Sequence, residues 1–167
     1  MIKTRKALIN FKEFIMQTPS DYKHNNAIAL LEADHQVVNA LFKKYEIATD
    51  NSEKKKLVSK ICKALTIHAQ VEEDVFYPQF KKALNDTELV PEATVEHNTL
   101  KDLIAQVDGI EPNGEMYDAK IKVMCEYVKH HVKEEENEMF PKAKKSNMDL
   151  EQIGVEIIAR KEELESS

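Results

Sequence analysis

Two copies of the string His-x-x-x-Glu constrain this chain more than any other feature, because each runs on to an aromatic residue and a proline at the same distance. His68, Glu72, Tyr77 and Pro78 form the first copy, and His131, Glu135, Phe140 and Pro141 the second. A four-residue step on a helix puts the histidine and the glutamate on one face, one turn apart. An imidazole and a carboxylate on one face can hold a metal ion, and two such faces pointing at each other can hold a pair.

The repeat reaches upstream of both strings. Asp34-His35 places a lone histidine 33 residues before His68, and Glu96-His97 places another 34 residues before His131. The unit is therefore a histidine followed by His-x-x-x-Glu, used twice, and self-similarity at a fixed period is a signature of architecture. Here the repeated unit is one helical hairpin. Cys62 and Cys125 obey the same repeat, each six residues before a motif histidine. Six residues turn a helix through 600°, about 120° away from the histidine face, so both cysteines are read as small buried hydrophobes and not as ligands.

Apolar periodicity predicts four long helices. The first, about 26–47, has Ile28, Leu31, Val38, Phe42 and Tyr45 inward, with His35 in the core slot they leave and Asn26 as N-cap. The second, about 53–83, carries Leu57, Ile61, Leu65, His68, Glu72 and Val75; Pro78 is expected to end or kink it. The third, about 91–108, turns Ala93, His97, Leu100, Ile104 and Val107 inward. The fourth, about 115–145, does the same with Ile121, Met124, Val128, His131, Glu135 and Met139. The glycine- and proline-containing segment 109–114 is the clearest loop.

Four amphipathic helices with short connections predict an all-α, up-down-up-down antiparallel four-helix bundle. His35 and His68 lie roughly 18 and 22 Å from their shared turn at about 1.5 Å per residue, and His97 and His131 are placed similarly from theirs. All four histidines then reach one layer of the bundle, with the two glutamates beside them. The expected organisation is an N-terminal extension (1–25), the bundle (26–145) and a C-terminal docking helix (146–167). In the last, Asp149 and Gln152 suit a capping box and Leu150, Ile153 and Ile157 a docking stripe. The apolar residues of that helix, with Leu8, Phe11, Phe14 and Ile15 at the other terminus, raise the expectation of a homodimer.

Composition narrows the function classes. The formal net charge of −6 argues against a nucleic-acid partner, which usually needs a basic face. No apolar run approaches the roughly 20 residues of a membrane span, and the N-terminus is a poor signal peptide, so a cytoplasmic protein is expected. His24 and His130 are expected to be exposed, and the Glu134-Glu135-Glu136 run to be solvated except for Glu135.

The candidate metal ligands are His35, His68, Glu72, His97, His131 and Glu135. Four imidazoles and two carboxylates suit iron and, less selectively, manganese, zinc or copper. If both glutamates bridge, each of two ions receives two histidines and two carboxylate oxygens. An oxo or hydroxo bridge adds a fifth ligand, leaving one position for water or a small molecule.

The order of these residues, and HHVKEEENEMFP at 130–141 in particular, resembles the hemerythrin-like family, also called the HHE cation-binding domain. That resemblance implies a four-helix bundle holding two Fe ions in a non-haem di-iron centre, with bridging carboxylates and terminal histidines. Oxygen-carrying members have a further histidine one turn after the one matching His97, where this chain has Lys101. The expected function is accordingly a module that binds or senses dioxygen, nitric oxide, peroxide or iron itself. The alternative is a di-iron enzyme for nitric-oxide or peroxide detoxification or iron-sulfur cluster repair. Tyr77 and Lys101 are expected as donors around the ligands.

Overall fold

The computed structural model describes residues 26–166; His24 and the apolar residues of the N-terminal extension lie outside them. Every regular element described is helical: α1 (Ala27–Ile47), α2 (Asn51–Val71), α3 (Tyr77–Leu84), α4 (Leu89–Ala105), α5 (Gly114–Glu134), α6 (Phe140–Lys145) and α7 (Leu150–Glu165). A five-residue π-helical turn, Glu72–Phe76, joins α2 to α3, and another, Glu135–Met139, joins α5 to α6. The bundle is thus built of α1, the α2–α3 rod, α4 and the α5–α6 rod, with α7 packed on α1 and α2.

The helix starts are set by side-chain caps. Asn26 accepts from the Ala29 N–H at 3.1 Å, Asp50 from Glu53 at 2.9 Å and Asp149 from Gln152 at 3.0 Å. Each such cap stabilises its helix by about 1 kcal/mol. Helix α4 begins two residues before the expected position because Asp86 reaches the N–H groups of Leu89 and Val90, leaving Pro91 in the first turn, where it removes no needed donor. Gly109, in the loop before α5, takes a φ of 69°, which a residue without a Cβ adopts freely.

Neither proline ends its rod. Pro78 has no N–H to offer the carbonyl of Asp74, and its ring crowds that oxygen. The chain answers by widening one turn, so that the Tyr77 N–H bonds to the Glu72 carbonyl. Pro141 has the same effect on the second rod, where Phe140 bonds back to Glu135. A π turn inside a helix absorbs one extra residue.

Two apolar clusters fill the bundle. One gathers Val38, Phe42, Ile61, Leu65, Leu100, Ile121 and Met124; the other gathers Ile28, Leu31, Phe76, Phe80, Phe140, Ile153 and Ile157. Between them lies a polar layer holding the candidate ligands. Ile153 and Ile157 are buried within the chain itself, so the α7 stripe docks intramolecularly. No helix among the described residues is long and apolar enough to cross a membrane.

Candidate metal centre

Six side chains from both hairpins meet in the polar layer: His35 on α1, His68 on α2, His97 on α4, His131 on α5, and Glu72 and Glu135 at the starts of the two π turns. All are buried, Glu72 completely. Burying so many polar groups is unfavourable unless each finds a partner. The facing Nε2 atoms of His35 and His68 are 3.1 Å apart, as are those of His97 and His131. Glu72 reaches across the layer, with Oε1 3.3 Å from His68 Nε2 and Oε2 3.3 Å from His97 Nε2. Glu135 Oε2 lies 3.2 Å from His35 Nε2 and 3.6 Å from His131 Nε2. Each carboxylate therefore faces one histidine from each hairpin. The donors fall into two groups that share Glu72: His35, His68, Glu72 and Glu135, and Glu72, His97 and His131.

Sequence reading missed the ring of carboxylates outside this set. His35 Nδ1 is 2.9 Å from Glu136, His68 Nδ1 3.1 Å from Asp34, His97 Nδ1 3.0 Å from Glu73, and His131 Nδ1 2.6 Å from Glu96. A carboxylate only accepts, so each Nδ1–H donates outward and each Nε2 is turned inward. That is the arrangement by which carboxylates orient histidine ligands. Glu136 lies on a solvated face, as expected, and its exposed side chain also holds His35. The acidic residue before each lone histidine and after each motif glutamate was the available signal, since those four positions repeat as the ligands do.

The π turns place one aromatic against each half of the site. Five residues along an α-helix would turn Tyr77 about 140° from Glu72, but the absorbed residue brings it back to about 40°. Its ring stacks on His97 with centroids 5.4 Å apart, and Phe140 stacks on His35 at 5.8 Å. The Tyr77 hydroxyl donates to Glu135 Oε1 at 2.8 Å and lies 3.3 Å from both Glu72 Oε2 and His97 Nε2. Lys101 stays outside, with both Glu73 oxygens at 2.8 Å from its Nζ. His130 is exposed, beside Glu134 and Glu96.

Electrostatics fit a cation in each half. Burial opposes charge on His35, but Glu135 raises it to about 9; burial pushes His68 down to about 4. In the other pair burial lowers His97, whereas Glu135 and the Glu96 hydrogen bond raise His131 against the same burial. In each pair one imidazole is favoured as the cation and its neighbour disfavoured, the facing Nε2 atoms lying 3.1 Å apart. Burial and the charge of Glu135 push the Glu72 carboxyl well above the usual range, while His131 and His35 hold Glu135 below it despite burial. Glu72 Oε1 and Glu135 Oε2 have no hydrogen-bond partner among the described residues, a costly state for buried oxygens. Metal–donor bonds of about 2.1 Å set neighbouring donors about 3 Å apart, close to the separations observed.

Two spaces adjoin the site. A cavity of about 20 Å³ lies against the four imidazoles, closed otherwise by Val38, Leu65, Ala69, Leu100, Val128 and Val132. A groove of about 380 Å³ runs between α1 and α5 from Phe42 and Cys125 to His35 and Glu136. His35, Val128 and Val132 border both.

Similarity to known proteins agrees with this geometry. The chain is 29% identical over 133 residues to a DNA nickase of Nostoc sp., a match covering 80% of this chain but only 37% of that longer protein. An uncharacterized protein of Mycobacterium tuberculosis is 27% identical over 146 residues, covering 85% of this chain and 89% of its own. The crystal structure of a hemerythrin HHE cation binding domain-containing protein from Mycobacterium kansasii superposes with a TM-score of 0.74 at 25% identity, over 85% of this chain and 88% of that one. Residues 26–143, most of the chain, match the hemerythrin HHE cation binding domain, and the chain belongs to that family.

Proposed function

We propose that this chain is a cytoplasmic, non-haem di-iron protein that binds or senses a small ligand, namely dioxygen, nitric oxide or peroxide, or iron itself. His35, His68, Glu72, His97, His131 and Glu135 are the residues that would hold the two ions, Glu72 and Glu135 each facing one histidine of either hairpin. The observation that carries this reading is the pair of buried oxygens left without a hydrogen bond, Glu72 Oε1 and Glu135 Oε2, each 3.2–3.6 Å from inward Nε2 atoms. Charge balance supports it. With Glu72 deprotonated by a bound cation, the two glutamates and the four outer carboxylates would carry six negative charges, and Lys101 and Lys161, the latter 2.6 Å from Asp34, offset two of them. Two divalent cations cancel the remainder.

The mixture of imidazole and carboxylate donors favours iron. When bound, an iron pair supplies electrons and open coordination positions. The chain supplies the rest. Asp34, Glu73, Glu96 and Glu136 fix the rings, the cavity of about 20 Å³ between the imidazoles and the apolar side chains has room for a molecule of one or two heavy atoms, and the α1–α5 groove leads to His35.

Anaerobic loading with ferrous iron, followed by absorption spectra during titration with dioxygen, nitric oxide and peroxide, tests the proposal. A ligand-dependent band that saturates near one ligand per iron pair is expected. Consumption of nitric oxide or peroxide far beyond that ratio would make the protein an enzyme at the same centre. No spectral response to any of the three, with the metal bound, would overturn the ligand-binding reading.

A further inference from the structure

The two halves of the site are related residue by residue, and the relation fails at one atom. His35 corresponds to His97, His68 to His131 and Glu72 to Glu135, but the aromatic on the second π turn is Phe140 where the first has Tyr77. We propose that Tyr77 Oη is a further protein donor to the metal position that His97 and His131 would hold, binding as a phenolate. The inference rests on the di-iron reading above and deepens it.

Distance and orientation carry the argument. Tyr77 Oη is 2.8 Å from Glu135 Oε1, 3.3 Å from Glu72 Oε2 and 3.3 Å from His97 Nε2. Those separations match the spacings among the other donors, which a shared ion sets at about 3 Å. The ring has no freedom to withdraw, because it is buried and stacked on His97. On the other side Phe140 occupies the related place over His35 and brings no donor atom, and there the α1–α5 groove arrives. Lys101, one turn after His97, is turned to Glu73 and offers the site no donor.

Ligation forms one metal–oxygen bond and breaks the phenol O–H bond heterolytically; the proton leaves to the buffer and no electrons are exchanged. Tyrosinate is an established ligand of ferric iron in proteins.

The test compares the full-length protein with Tyr77→Phe, which keeps the ring and its stacking. Both are loaded with iron and oxidised, then examined by metal analysis and by resonance Raman and visible spectroscopy. Wild type is expected to show tyrosinate vibrations and a phenolate-to-iron charge-transfer band. Tyr77→Phe is expected to lose both and to bind its second iron roughly 10- to 100-fold more weakly. Two irons with no tyrosinate signature in wild type, or an unchanged spectrum in Tyr77→Phe, would overturn the proposal and leave the di-iron reading standing. Failure of wild type to bind two irons would instead overturn that underlying reading.

Discussion

His35 and His68 face each other through their Nε2 atoms at 3.1 Å, while the opposite nitrogen of each ring is held by a carboxylate from a different helix. Glu136 reaches back to His35 on α1, and Asp34 reaches across to His68 on α2. In the second half Glu73 holds His97 and Glu96 holds His131. Two of these contacts lie within a hairpin and two tie one hairpin to the other. Glu136 and Glu73, which aim His35 and His97, therefore also tie the two hairpins together.

Removing one of these outer carboxylates is expected to loosen metal binding without unfolding the bundle. Asp34→Asn or Glu96→Gln should weaken affinity roughly 10- to 100-fold, measured by competition with a chromophoric chelator. An unchanged affinity in both variants would show that the histidines are oriented by packing alone.

The bridging glutamates should behave differently from a nearby exposed histidine. Glu72→Ala or Glu135→Ala removes a donor shared by both positions, so each variant should lose at least one ion per chain on metal analysis. His130→Ala, at a side chain 60% exposed, should retain the full complement.

Metal removal should lower thermal stability, because ions that bind only the folded site stabilise it. With free ion at about 1,000 times Kd the gain is about 4 kcal/mol for each ion, and each ion then raises Tm by roughly 8–16 °C for a chain of this size. Differential scanning calorimetry of loaded and chelated protein measures the difference. Coincident transitions would contradict a site built around metal.

Away from the centre, Tyr45 Oη donates to Asp118 at 2.6 Å and Lys54 reaches the same carboxylate, and together they hold the Asp118 carboxyl below its usual range. A depressed folded pKa stabilises above the unfolded value, near 4, and that contribution is lost as pH falls through the folded one. With Asp118 half-exposed, Tyr45→Phe should cost about 0.5–1 kcal/mol at pH 7. In urea melts the difference from wild type should shrink below about pH 3.

The four bundle helices and the six inward residues were legible because both follow periodicities, a 3-4 apolar stripe and a repeat of about 62 residues. What escaped was whatever depended on a local break in those periods. Pro78 and Pro141 announced a disturbance, yet the sequence could not say that each rod would widen into a π turn instead of ending. That one absorbed residue turns Tyr77 and Phe140 toward the ligands. Glu136 is exposed, as its charged run implies, and nothing in its own segment reveals the bond it also makes to His35 on another helix.

The most direct test is the metal count of protein loaded anaerobically with ferrous iron and freed of excess. The account predicts about two irons per chain, and fewer when His35 or His131 is replaced by Ala. One ion or none in wild type, or a count of two that survives both replacements, would contradict it.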